Sequence, residues 1–213
     1  MTTVTIIGAG NMARGIGTRM VAGGHELRIL APTPKHATEL ANELRPAAAA
    51  VTGGGMTEPV TGDVVVFATP YHAALELADN LGPRLTGMVV IDITNPVDFA
   101  TFDGLVTPPD SSAAEEIASR LSGSPVVKAF NTTFAGTLVA GEVAGHQLDV
   151  LLAGDDGEAK GEVARLVESG GMRAIDAGPL RRARQLEHAG FLHMALQEPL
   201  GTGFGSALKF LGP

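Results

Sequence analysis

The chain has no cysteine and no tryptophan, and only one tyrosine. Without cysteine there can be no disulfide framework, thiolate nucleophile or cysteine-ligated zinc. With so few aromatic residues, the core must be aliphatic, built from Val, Ile, Leu and Ala. Positive charge is also scarce: 15 Lys and Arg stand against 23 Asp and Glu, a formal net charge of -8. That balance argues against nucleic acid and against an anionic membrane surface as partners. No apolar run reaches the length needed to cross a bilayer. The apolar residues near the N-terminus lead straight into a glycine turn, so no signal peptide is expected there. These absences together lead to the expectation of a soluble, cytoplasmic, globular protein.

The clearest positive signal is Val4-Thr5-Ile6-Ile7 followed by Gly8-Ala9-Gly10-Asn11-Met12-Ala13. An apolar strand runs into G-x-G-x-x-A, and a helical pattern follows. This is the dinucleotide fingerprint in its required context. Gly8 permits the tight turn and Gly10 lets a pyrophosphate approach the backbone. Ala13 is small enough for the helix to pack against the strand. The phosphates would meet free N–H groups at the helix N-terminus, where the macrodipole favours negative charge.

Strand-like and helix-like segments alternate beyond this point, predicting an α/β doubly wound, Rossmann-type, mostly parallel sheet with a small C-terminal helical unit. The boundary is expected between residues 1–178 and 179–213. Strands are expected at Val4–Ile7, Leu27–Leu30, Val64–Ala68, Met88–Ile93, Pro125–Phe130, Leu148–Ala153 and Met172–Asp176. The continuous apolar runs among them suit parallel strands buried on both faces. Helices are expected from Asn11 to Val21, stopped by Gly23-Gly24, and from Pro34 to Leu44, closed by Pro46. Ser112-Ala113-Ala114-Glu115 has capping-box spacing and predicts a helix start. Phe99–Asp110 reads as a long loop, either functional or a passive crossover. Asp155-Asp156 reads as a helix cap. Leu180–Leu200 reads as one long helix and Phe204–Leu211 as a short one.

The end of the second strand bears on the choice of dinucleotide. An NAD site would place a carboxylate there for the ribose 2′-hydroxyl. This chain has Ala31-Pro32-Thr33-Pro34-Lys35-His36 instead. With no acid to repel a 2′-phosphate, and with Thr33 and Lys35 to meet one, NADP is favoured and NAD remains possible. Lys35 and His36 also fit a plain exposed first helical turn.

Further motifs carry a resemblance that runs from end to end. They are Phe67-Ala68-Thr69-Pro70-Tyr71, Ile93-Thr94-Asn95-Pro96, Ser112 to Leu121, Val127-Lys128-Ala129-Phe130-Asn131-Thr132, Gly154-Asp155-Asp156, Asp176-Ala177-Gly178-Pro179-Leu180 and Leu208-Lys209-Phe210-Leu211. With the glycine turn, they resemble the NADP oxidoreductases that use the deazaflavin coenzyme F420. The Val127 to Thr132 stretch is also similar to a motif of related ferric reductase domains. The resemblance implies hydride transfer between NADPH and coenzyme F420 or a similar flat acceptor, and a homodimer. It places Ala68, Thr69, Pro70, Asn95 and Pro96 along the ribose and pyrophosphate path, with Ala129, Asn131 and Thr132 near the nicotinamide. The acceptor ring would lie between that stretch and the C-terminal helices, touching Thr132, Phe134 and Leu208. One departure stands out: the family's Ser-Arg pair after the second strand is replaced here by Ala31 and Pro32. Gly10-Asn11-Met12-Ala13 is similar to pyrroline-5-carboxylate reductases as well, but the motifs of their long helical dimer region are not found.

Such a reaction asks little of acid–base side chains, since the cofactors carry the chemistry. No nucleophile–base pair or metal-ligand spacing appears, and no catalytic residue is expected. His188 and His193 are five apart and do not share a helix face. His72, just after Pro70, suits either cofactor contact or the surface. The basic run Arg181-Arg182-Ala183-Arg184 suits an anionic tail, a subunit contact or solvent. Two alternatives stay open: an NADPH-dependent reductase of a flavin, quinone or imine, and a non-catalytic dinucleotide-binding sensor.

Overall fold

A computed structural model describes residues 1–45 and 50–212. Among the described residues, ten strands and eight α-helices follow in order: β1 (Thr3–Ile7), α1 (Asn11–Ala22), β2 (Glu26–Ala31), α2 (Pro34–Leu44), β3 (Val51–Gly55), β4 (Val64–Phe67), α3 (Tyr71–Leu81), β5 (Val89–Asp92), α4 (Ala113–Ala118), β6 (Val126–Lys128), α5 (Ala135–Ala140), β7 (Glu142–Val143), β8 (His146–Gln147), β9 (Asp149–Gly154), α6 (Gly157–Ser169), β10 (Arg173–Gly178), α7 (Ala183–Ala195) and α8 (Gln197–Leu200). Eight strands form one sheet in the order β10-β9-β6-β5-β4-β1-β2-β3. Every pairing is parallel except β6 with β9. This is the expected doubly wound, mostly parallel sheet. β7 and β8 make a separate small hairpin.

Side chains that alternate along a strand feed two apolar layers, one on each face. Ile6, Val64 and Val66 join Ile16, Met20, Leu40, Val163 and Leu166. Ile7, Val65 and Phe67 join Ala74, Ala78, Leu81, Ile117 and Leu121. The layers are aliphatic, as the composition requires.

Several predicted signals hold at their residues. Ser112 caps α4, its hydroxyl accepting from Glu115 N–H at 3.2 Å. Asp156 caps α6 through Ala159 N–H at 2.9 Å, while Asp155 accepts from Leu180 N–H. Phe99–Asp110 forms no helix or strand beyond a single bridge between Val97 and Leu105. Pro46, expected to close α2, and the alanines at 47–49 lie outside the described residues.

Two expectations at the C-terminus are corrected. Leu180–Leu200 is not one helix: a 3₁₀ turn at Leu180–Arg182 precedes α7, and the short α8 follows it. Phe204–Leu211 is not helical at all. Gly201, Gly203 and Phe204 all have positive φ, which cannot start a right-handed helix. Further along, Asp149 takes the Phe210 backbone N–H at 2.8 Å and so holds the tail extended. β3 was unforeseen because three of its five residues are glycine. Gly53 must be one of them, since a Cβ there would lie 2.3 Å from Ala37 O.

Candidate dinucleotide site

The sheet order reverses at β1, which lies between β4 and β2. The crevice outside the carboxyl ends of strands at such a switch point is where α/β sheets bind ligands. Gly8 makes the turn there with φ +126, and an added Cβ would stand 2.2 Å from Ala68 O at the end of β4. Gly10 caps α1 without any side-chain hydrogen bond, and no acid lies in the first turn. A Cβ at Gly10 would meet nothing within 4 Å. The helix N-terminus thus presents free N–H groups to open space. Ala13 is fully buried, as close helix–strand packing demands.

In front of this turn is a cavity of about 500 Å³. Ten of the residues expected at the site line it: Gly10, Asn11, Met12, Ala68, Thr69, Pro70, Asn95, Pro96, Asn131 and Phe134. His72 does as well. Tyr71, Ile93, Thr94, Val97, Phe99, Val106, Thr133 and Met194 also line it; Tyr71, Ile93 and Thr94 belong to the strand-end motifs without an assigned role, Phe99 and Val106 to the loop read as functional or passive, and Val97, Thr133 and Met194 were not singled out. Seven of the predicted residues stand elsewhere. Gly8 and Ala13 lie behind the turn. Ala129 is fully buried beneath the strand end, and Thr132 is nearly so. Thr33 and Lys35 stand exposed after β2, and Leu208 is half-buried in the tail. Ala31 is buried as the last residue of β2, with Pro32 exposed beside it.

Three buried side-chain polar atoms among the described residues lack a hydrogen-bond partner, and two belong to this cavity: Thr69 Oγ1 and Asn131 Oδ1. Buried polar atoms are nearly always paired, so an unpaired one calls for a ligand, water or strain to explain it. Asn131 Nδ2 donates to Leu186 O at 2.8 Å and to Asn95 Oδ1 at 2.9 Å, and Asn95 Nδ2 donates to Asn131 O at 2.7 Å.

A second cavity of about 460 Å³ lies beside the first, lined by Asn11, Arg14, Phe134, Ala135, Gly136, Val139, Gly203 and Phe204. Phe134 belongs to both. Its ring lies 4.2 Å from His193 and 5.1 Å, edge-on, from Phe204. His193 sits within hydrogen-bond reach of Thr132 O at 3.2 Å and Ser206 Oγ at 2.9 Å. A neutral ring with its proton on Nδ1 satisfies both contacts, and burial pushes the histidine's pKa down. The basic run is divided: Arg184 makes a bidentate pair with Glu115, while Arg181 and Arg182 are exposed.

Behind the cavity is a buried charged group that no local sequence pattern announces. Lys128 Nζ, fully buried, meets Asp92 Oδ2 at 2.7 Å, Glu187 Oε1 at 2.8 Å and Thr94 O at 2.5 Å. Burial opposes the lysine's charge, but the two carboxylates outweigh it and its pKa is raised. Glu187 also accepts from Ala113 N–H at 3.0 Å and Ala114 N–H at 3.3 Å, completing the start of α4. Among the described residues no cluster of three or more His, Asp or Glu has metal-holding geometry, and no helix is long and apolar enough to cross a membrane.

Comparison with known proteins agrees with this geometry. Residues 3–96 match the family described as "NADP oxidoreductase coenzyme F420-dependent". An F420-dependent NADP reductase of Methanothermobacter marburgensis is 30% identical over 193 residues, covering 84% of this chain and 85% of that enzyme. Metalloreductase STEAP3 of Rattus norvegicus is 33% identical over 186 residues, 86% of this chain but only 35% of that protein. The chain thus spans about a third of that relative's length. An Arthrobacter structure provisionally assigned as an F420-dependent NADP reductase superposes with a TM-score of 0.85 at 28% identity, covering 100% of both chains. From the glycine turn to the tail, the chain belongs to the F420-dependent NADP oxidoreductase family.

Proposed function

We propose that the protein transfers hydride between NADPH and coenzyme F420 or a similar flat acceptor. The observation that carries this is the joining of three features at one place. The free N–H groups after Gly10, the ends of β4, β5 and β6, and two unpaired polar atoms all open on one cavity. The nicotinamide, when bound, supplies the redox chemistry. The chain's own part is to bind and orient. The start of α1 takes the pyrophosphate, Gly10 leaving room for it. Ala68, Thr69, Pro70, Asn95 and Pro96 line the path toward the ring. Met12, Val97 and Met194 are among the apolar side chains that line the cavity, which excludes water and suits a flat ring. Ala129 and Thr132 act from beneath, by shaping the strand end. Leu208 belongs to the tail that backs the acceptor side.

NADP is the cofactor in this reading, with Thr33 and Lys35 facing the 2′-phosphate and no carboxylate in the Ala31-Pro32-Thr33 stretch that ends β2. Residues 1–178 would hold the nucleotide and residues 179–213 would close the acceptor side. The homodimer belongs here too, supported by Leu192, Leu196 and Leu200, which are 59%, 39% and 60% exposed at i, i+4 and i+8. A cytoplasmic setting is part of the same reading and rests on the acidic, cysteine-free composition.

The test is a stopped-flow mix of the protein with NADPH and oxidised F420, following loss of the deazaflavin's visible absorbance. Rapid bleaching is expected. Tight NADPH binding without bleaching would move the reading to a flavin, quinone or imine acceptor, or to a sensor.

A further inference from the structure

We infer that Asn131 Oδ1 is the acceptor that receives the amide N–H of the bound nicotinamide, and that α7 is the element that holds it ready. This rests on the dinucleotide reading above and adds to it a specific contact and its support.

Asn131 is 4% exposed, lines the cavity and leaves Oδ1 without a partner. Its orientation is fixed. Turning the amide over would set its oxygen against Leu186 O, an acceptor, and against Asn95 Oδ1, also an acceptor because Asn95 Nδ2 is committed to Asn131 O. The side chain therefore presents an acceptor and no spare donor, and it selects a ligand N–H or O–H. A primary amide on a flat ring offers one, and a ring ketone does not.

The support comes from one face of α7. Leu186 supplies the carbonyl. Glu187 ties the helix to the sheet through Lys128. Gly190 lets it approach: a Cβ there would lie 2.7 Å from Asn95 Oδ1 and 2.8 Å from Asn131 O, closer than any side chain allows. Gly190 is in this sense a positioning residue for the two asparagines.

The test compares three ligands by calorimetry on the intact protein: NADP⁺, its 3-acetylpyridine analogue, which keeps the ring carbonyl but lacks the amide N–H, and 2′,5′-ADP, which lacks the ring altogether. A hydrogen bond to an otherwise unpaired buried acceptor corresponds to a preference of about tenfold or more for NADP⁺ over the acetylpyridine analogue. Gly190→Ala is expected to shrink that preference to about twofold while 2′,5′-ADP affinity stays within about twofold of the parent, since the change sits against the asparagines and not the phosphate turn. Equal affinity for NADP⁺ and the analogue, with 2′,5′-ADP still bound, overturns the inference and leaves the dinucleotide site standing. An unchanged preference in Gly190→Ala overturns the role of α7. Failure of the parent protein to bind any of the three overturns the dinucleotide reading, and this inference with it.

Discussion

Lys128 and Glu187, 59 residues apart in the chain, meet at 2.8 Å with both side chains buried, and this contact ties α7 to the centre of the sheet. The group sets two carboxyl side chains, Asp92 and Glu187, around one buried ammonium. Burial pushes the Glu187 carboxyl up, with Lys128 pulling the other way. The backbone N–H groups of Ala113 and Ala114 share the load.

Removing one partner from such a group leaves the others uncompensated. Glu187→Ala is expected to cost about 3–5 kcal/mol of unfolding free energy, because Lys128 loses a partner and the start of α4 loses its acceptor. Glu187→Gln keeps a carbonyl for those N–H groups and should cost less. Urea unfolding of the three proteins, with the midpoint and slope compared, checks the order.

The two glycines of the fingerprint should fail in different ways. Gly8 has φ +126 and no room for a Cβ, so Gly8→Ala is expected to destabilise the fold by about 3 kcal/mol or more. Gly10 has an ordinary φ and open space around it. Gly10→Ala should change stability by no more than about 0.5 kcal/mol. Its methyl would occupy the approach to the α1 N–H groups, so dinucleotide affinity should fall by about tenfold or more. Thermal unfolding and NADPH titration on both variants separate the effects. A Gly10→Ala protein with full NADPH affinity would show that the phosphates do not lie on this turn.

The contrast between these residues explains what could be read in advance. The glycine turn was legible because its chemistry needs particular residue types at fixed spacing, directly after a strand. Thr69, Pro70, Asn95 and Asn131 were legible because the ends of parallel strands converge on one crevice wherever the sheet reverses. The Lys128 group was not, since no local pattern joins residues 92, 128 and 187. β3 was hidden by its glycines, which packing against α2 demands and strand propensity disfavours. The tail was misread because Phe204, Leu208 and Leu211 carry helical spacing. A long-range partner, Asp149, takes the backbone N–H such a helix would need.

Asp149 also sets a pH dependence. Burial alone would raise its pKa, but Arg173, Lys209 and the Phe210 N–H outweigh it and hold the carboxyl down from 3.8 to about 2. The folded-state value is depressed, so the stabilisation is fully present above the unfolded value of 3.8 and is lost as pH falls towards about 2. The shift corresponds to about 2 kcal/mol. Asp149→Asn is expected to be less stable by about that amount near neutral pH and to show a flatter stability profile across the acid window. Urea unfolding at a series of pH values tests this, and parallel profiles for the two proteins would refute it.

The choice between NADP and NAD turns on the residues after β2. Lys35 is 79% exposed, and its only ion-pair contact among the described residues is a long one to Glu39 at 3.7 Å. It is therefore available to a phosphate at little cost in broken contacts, and an exposed charge pair of this kind is worth up to about 1 kcal/mol. Lys35→Ala is expected to weaken NADPH binding by about two- to fivefold and to leave NADH binding unchanged, because NADH has no 2′-phosphate for the lysine to meet. The difference should shrink as salt is raised, since exposed charges are screened. Titrations with both nucleotides at low and high ionic strength give the answer. An equal loss for the two would mean that Lys35 acts through α2 and not on the phosphate. No loss for either would leave Thr33 as the remaining contact and make the Ala31-Pro32 replacement a real weakening of NADP preference.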